Sequence, residues 1–306
     1  MQPLEKSILE TIAYFDVFDY PLAPFEVWQW LYRSDTAAPG TVSLGEIVKQ
    51  LEALKTNGRI AEQWGFYALP GRAEIVETRM DRYRLAERKY FRVQRLVRLL
   101  RFVPFVRMIG VCNTLAYSNS RREADIDLFV ITSPGRIWQA RFWLAGFLKF
   151  FRLRPSQVHT TDTLCASFYT DRQHLNLESL ALPEDIYLAY WIAQVTPIYD
   201  EGVYTHFMEQ NRWVRLYLPN LQSKVLTPRR RVRAFWVLHR LIEAIAWCIP
   251  ERVFKNYQLK VMPERLRSLA NQDTRVVVDD TMLKFHDTDR RQQYHDAWRE
   301  RVATLV

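Results

Sequence analysis

Residues 105–132 read FVRMIGVCNTLAYSNSRREADIDLFVIT, and the fold reading of the chain turns on them. An apolar, β-rich run over 105–112 gives way to a turn at Asn113-Thr114, a short helical start at 115–117 and a polar loop over 118–123. The run Asp125-Ile126-Asp127-Leu128-Phe129-Val130-Ile131 then predicts a strand. Alternate residues of a strand share a face, so Asp125 and Asp127 point one way while Ile126 and Leu128 point the other. Carboxylates at the mouth of an apolar strand are costly to desolvate without compensation. A divalent cation is the natural compensation, because Mg²⁺ prefers oxygen ligands and shares itself between carboxylates and substrate phosphates. A metal pair at such a site activates the attacking oxygen and stabilises the leaving one.

Toward the N-terminus, Leu4, Ile8, Ile12 and Phe15 recur at helical spacing and predict a helix over 4–16, broken by Asp19-Tyr20-Pro21. A second helix is predicted over 24–32, with Pro24 near its start, and 33–42 reads as a loop. Ser43 and Glu46 form a capping box for a third helix over 43–56, which Gly58 stops. Short apolar runs at 59–62 and 66–69 flank Gln63-Trp64-Gly65 as a hairpin. This order resembles a winged helix-turn-helix, whose third helix would be the DNA reader. Here Glu46 and Glu52 offset Lys49 and Lys55, so that helix offers no net positive charge to a phosphate backbone. Packing or protein contact is the favoured use, and DNA binding the weaker one. Residues 73–102 interleave Arg and Lys with Tyr, Leu and Val without Pro or Gly, which predicts a long connecting helix, or two, whose basic face is solvated, with nucleic acid as the alternative partner.

Toward the C-terminus, 136–152 predicts an apolar-aromatic helix and 163–170 a strand. Further helices are predicted over 183–194 and 204–216, separated by Pro197 and Gly202. Arg229, Arg230, Arg231 and Arg233 precede an aromatic helix at 235–249. They read as a solvated helix start, with contact to an acidic acceptor or a membrane surface as the alternative. Phe285-His286-Asp287-Thr288-Asp289 reads as a capping turn before a final helix at 289–304.

The net charge of +9 favours anionic partners without choosing among nucleotide, nucleic acid and lipid. The sparse set Cys112, Cys165 and Cys248 argues against a disulfide framework and a structural zinc site, and suits a reducing cytoplasm. The opening Met1-Gln2-Pro3-Leu4-Glu5-Lys6 does not read as a signal peptide. Charge interrupts the longest apolar stretches, with Lys149 inside 142–151 and Arg240 and Glu243 inside 234–249, so no transmembrane segment is expected.

The order of apolar strand, turn, spacer and Asp-x-Asp strand resembles the nucleotidyltransferase superfamily related to DNA polymerase beta, over residues 104–172. Asn113-Thr114 occupies the turn, ten residues separate it from Asp125, and Asp125-Ile126-Asp127 supplies the acidic strand. The whole chain is similar to uncharacterised bacterial and archaeal proteins that join a winged helix to such a domain. The resemblance implies an α+β chain: a winged helix-turn-helix-like domain at 1–72, a connecting helix at 73–102, a nucleotidyltransferase-like domain with a mixed sheet at 103–180, and a helical C-terminal domain at 181–306. It implies transfer of a nucleoside monophosphate from an NTP to an acceptor, which would be protein, RNA or a small molecule. Asp125 and Asp127 would be the catalytic pair, holding Mg²⁺ or Mn²⁺. Thr114 would stand for the family's triphosphate-contacting serine, with Asn113 in the place of its glycine and the turn's N–H groups cradling phosphate. Arg121 and Arg122, in the spacer, are our own additional candidates for neutralising phosphate charge.

Active members carry a third carboxylate on a later strand. On 163–170, Leu164, Ala166 and Phe168 form the apolar face, leaving Thr163, Cys165, Ser167 and Tyr169 toward the site, and none is acidic. Asp171 has the right parity at the strand's end, and Asp162 needs a bulge. The alternative to an enzyme is therefore a non-catalytic nucleotide-binding regulator that keeps the fold without its general base.

Overall fold

A computed structural model describes residues 3–33, 42–155, 160–222 and 227–305. The loop expected at 33–42 falls almost wholly outside them. The N-terminal segment forms α1 (Pro3–Asp16), α2 (Pro24–Gln29) and α3 (Leu44–Thr56), then a hairpin of β1 (Ala61–Gln63) and β2 (Phe66–Ala68). The cap of α3 is reciprocal: Ser43 Oγ accepts from Glu46 N at 3.2 Å, and Glu46 Oε2 accepts from Ser43 N at 2.8 Å. Trp64 and Gly65 both take positive φ, 53° and 79°, which suits the two-residue turn of a right-twisted hairpin. The basic segment that follows is one unbroken helix, α4 (Ile75–Leu100), burying Ala86, Tyr90, Val93 and Val97 on one stripe.

The rest of the chain runs β3 (Val106–Val111), α5 (Asn113–Ala116), β4 (Ile126–Thr132), α6 (Ile137–Phe150), β5 (Leu164–Asp171), α7 (Ile186–Gln194) and β6 (Thr196–Asp200). It continues through α8 (Tyr204–Gln210), α9 (Trp236–Trp247), α10 (Glu251–Lys260), α11 (Glu264–Leu269), β7 (Val276–Val278), β8 (Met282–Phe285) and α12 (Arg291–Ala303). Six strands form one mixed sheet in the order β6-β3-β4-β5-β8-β7. Only β4 and β5 are parallel, with α6 as their crossover, so the protein is α+β.

The expectation of a helical region after residue 180 is corrected, because β6, β7 and β8 all come from it and complete the sheet. Pro197 does separate α7 from α8 as expected, but it does so within β6. That strand is the edge of the sheet, paired with β3 and bridged on its other side, among the described residues, only by Tyr199 with Val232, so a proline there leaves the interior ladder intact. Strands β7 and β8 are three and four residues long, too short to show a period in sequence.

The sheet separates two apolar cores. On one face Met108, Phe129, Ile131 and Phe168 pack with α1, α7 and Trp298 of α12. On the other, Ile109, Leu128, Val130, Leu164 and Tyr169 pack with α4 and α6. Trp298 Nε1 donates to Glu10 O at 3.0 Å, tying the last helix to the first, so the N-terminal helices share a core with the sheet.

Helix α9 is fastened through charge. Arg107 on β3 meets Glu243 at 2.7 Å and Glu201 at 3.3 Å, and His239 lies 3.1 Å from Glu201 and 3.3 Å from Glu243. Burial opposes a charge on His239, but its hydrogen bonds to Glu201 and Glu243 prevail and push its pKa up to about 9. Because the folded pKa lies above the unfolded one, the stabilisation is complete below the ordinary histidine pKa and is lost as pH rises through about 9. It amounts to at most about 3 kcal/mol. Urea denaturation of the wild type and His239→Gln is expected to show a stability gap at about pH 6 that closes by about pH 9.5. A gap independent of pH would mean that packing, not charge, anchors the helix.

Candidate functional site

Asp125 and Asp127 stand at the start of β4, on the face that also carries Phe129 and Ile131. The parallel register sets Asp127 beside Cys165 on β5. Ligand atoms of Asp125, Asp127 and Cys165 all lie within 4.8 Å of one another, the one such group among the described residues. Cys165 is in hydrogen-bonding reach of both Asp125 and Ser167.

The parity expected for β5 is corrected beyond Cys165. Leu128 pairs with Ala166 but Phe129 pairs with Phe168, so Ser167 is an extra residue in a bulge. Phe168 thereby joins Asp127's face and packs against Phe129 and Trp191, with ring centroids 5.0 and 5.5 Å away. Tyr169 turns into the opposite core. Asp171 pairs with Thr132 at the far end of β4 and is buried, accepting from Gln173 N, His174 N and His174 Nδ1 at 2.7–3.0 Å. Asp162 pairs instead with Lys89 at 3.4 Å. Neither acid considered in sequence belongs to the group around Asp127, and the thiol of Cys165 takes that position.

Asn113 takes a left-handed backbone, φ 54°, which asparagine tolerates better than most residues. Its side chain also braces the site. Nδ2 donates to Asp127 Oδ2 at 2.8 Å, and Oδ1 accepts from Trp191 Nε1 at 2.9 Å and Tyr187 OH at 3.4 Å. Burial raises the pKa of Asp127, the neighbouring charge of Asp125 raises it further, and the Asn113 bond offsets only part. Burial also raises Asp125, against the attraction of Lys89. Burial pushes the Cys165 thiol up to about 12, with Asp127 and Asp125 adding, so it stays protonated.

A cleft of about 790 Å³ opens over these groups. Its far wall comes from the C-terminal segment: Lys284, His286, Asp289, Arg290 and Arg291. Arg291 pairs with Asp185 and Asp289, each at 2.6 Å, and Lys284 donates to Thr274 O. Ser167 Oγ and His286 Nε2 are 2.9 Å apart. Burial, with Lys284 adding, lowers the His286 pKa to about 4, which keeps the ring neutral. A smaller cavity of about 190 Å³ adjoins, lined by Asn113, Thr114, Asp127 and the rings of Tyr14, Phe18, Tyr117, Tyr187, Trp191 and Tyr294.

The structure thus brings together Asp125, Asp127 and Asn113, with Thr114 in the adjoining cavity. Arg121 and Arg122 are exposed and line neither cavity, and Arg121 lies 3.8 Å from Asp19. The cations beside the cleft, Lys284, Arg290 and Arg291, flank 285–289, whose residue types predict a capping turn. Asp289 does accept from Arg291 N at the start of α12, so that reading holds for one residue. The His/Asp density of 285–289 was visible in the sequence; its pairing with β5, across 119 residues from Ser167 to His286, was not.

The chain matches no protein-family model, no curated protein and no solved structure.

The donor set fits an oxygen-seeking divalent cation, with Asp125 and Asp127 as its ligands and the protonated thiol of Cys165 beside them. Asp127→Asn removes a desolvated charge while keeping an acceptor for Asn113. It is expected to raise the melting temperature of metal-free protein at neutral pH by about 2 °C or more. It should also cancel the rise that Mn²⁺ gives the wild type. An unchanged Mn²⁺ response in the variant would remove Asp127 from any metal site.

Proposed function

We propose that the protein is a divalent-cation-dependent nucleotidyltransferase that moves a nucleoside monophosphate from an NTP to an acceptor hydroxyl. The observation that carries this reading is that Asp125 and Asp127 lie together in a cleft whose opposite wall carries Lys284, Arg290 and Arg291 interleaved with Asp287 and Asp289. Bound Mg²⁺ or Mn²⁺ would supply Lewis acidity toward phosphate oxygens. Asp125 and Asp127 would hold it. Lys284, Arg290 and Arg291 border the volume where a triphosphate would lie, and the ring-lined cavity beside Thr114 suits a base.

The acceptor oxygen would attack the α-phosphorus, forming one P–O bond as the bond to pyrophosphate breaks. Its proton needs a base. His286, neutral and hydrogen-bonded to Ser167, would receive that proton in the role the family gives to a carboxylate. A triphosphate's negative charge would make the ring more basic. The helices and hairpin at the N-terminus fit a winged helix, and α1 shares the main core, in keeping with a packing role.

The second reading, a nucleotide-responsive regulator without catalysis, is favoured by Cys165 standing where a third acid would complete the group. α-labelled NTPs with Mn²⁺ and the protein separate the two. The enzyme reading expects pyrophosphate release and label on an acceptor or on the protein itself, lost by at least about 100-fold in Asp125→Ala. It also expects Cys165→Asp to raise the rate by about tenfold or more. Nucleotide-dependent stabilisation without pyrophosphate would establish the regulator. Nucleotide binding that is absent, or indifferent to Asp125→Ala, defeats both.

A further inference from the structure

Helix α9 is turned inside out relative to an ordinary surface helix. Its inward positions are His239, Glu243 and Ala246, the first two bound into the cluster around Arg107. Its outward positions are apolar: Val237, Leu241 and Ile245 are 72%, 59% and 75% exposed. The pattern continues across Pro250 into α10, where Val253, Tyr257 and Val261 recur every fourth residue and are each more than half exposed. Scattered apolar surface residues are ordinary, but a concentrated stripe on successive helices marks an interaction face.

The charge of the same segment is one-sided. Residues 227–262 contain eight Arg and Lys against two acids. Both acids are spent inward: Glu243 on Arg107 and His239, and Glu251 on the backbone N–H groups of Trp138 and Gln139. Arg230 and Lys255 have acidic partners in Glu87 and Asp280. Arg240 reaches Glu243 at 3.9 Å from an exposed position, and Arg229, Arg231, Arg233, Arg252 and Lys260 are exposed.

We propose that α9 and the outer stripe of α10 lie flat on an anionic membrane surface, the apolar stripe at the acyl boundary and the cations among lipid phosphates. Tyr257 is a ring type that settles at that boundary. No helix among the described residues is long and apolar enough to cross a bilayer, so the contact is in-plane. A second copy of the chain is the poorer occupant. A two-fold contact through this face would set the same exposed cations against themselves, whereas anionic lipid neutralises them.

Co-sedimentation of the full chain tests this, using vesicles of phosphatidylcholine alone and of phosphatidylcholine with phosphatidylserine, at low and high salt. The wild type is expected to bind the serine-containing vesicles at least about tenfold more tightly and to be released by salt. Leu241→Glu/Ile245→Glu changes outward side chains only, and an unaltered melting temperature would verify its fold. It is expected to lose at least about tenfold in partitioning. Arg231→Ser/Arg233→Ser should lose about tenfold on anionic vesicles and nothing on neutral ones. Equal binding to both vesicle types, or double variants that bind as the wild type does, overturns the proposal. So does a dimer in solution that Leu241→Glu/Ile245→Glu dissociates in a chain that ignores vesicles, which would give the face to protein contact.

Discussion

Asp125 and Asp127 sit on one face of β4, ahead of a strand whose remaining residues are buried, and neither charge is well solvated. Each carboxylate makes the other harder to ionise. The protein's own compensation is partial: a hydrogen bond from Asn113 to Asp127, and for Asp125 its own backbone N–H, Lys89 and the thiol of Cys165. An apolar pair at these positions would have served the fold better. Their presence is what makes this end of the sheet the candidate site.

The surroundings are organised about that pair. Trp191 packs its ring on Phe129 and Phe168 while its N–H holds Asn113, so core packing and the orientation of the site are one contact network. The bulge at Ser167 serves the same arrangement. It lets Cys165 face Asp127 and still delivers Phe168 to the same face, with Ser167 directed to His286. A regular β5 would have sent Tyr169 toward the cleft and Phe168 away from it.

A second use of buried charge appears at α9. Arg107, Glu201, His239 and Glu243 hold the helix to the sheet through ionic contacts. That frees its apolar residues from the core, and they line the outside. Ordinary amphipathic logic, in which apolar residues mark the inner face, reads this helix backwards.

Much of the local structure was legible in the sequence. The capping box of α3, the hairpin around Trp64-Gly65, the helical character of α4 and the shared face of Asp125 and Asp127 all follow from periodicity and turn chemistry over a few residues. The left-handed backbone of Asn113 was likewise foreseeable from its residue type. What escaped sequence reading depended on partners far along the chain. Pro197 lies in a strand because β6 is an edge, and edges are a property of the sheet. Asp171 lost its parity to a bulge that only the pairing with β4 reveals. His286, Lys284 and Arg291 joined the cleft because β8 pairs with β5, a register that short strands cannot announce. The sequence by itself determined which residues would carry charge on one strand face. The tertiary structure decided what stands opposite them, because side chains meet across a sheet through pairing and not through spacing along the chain.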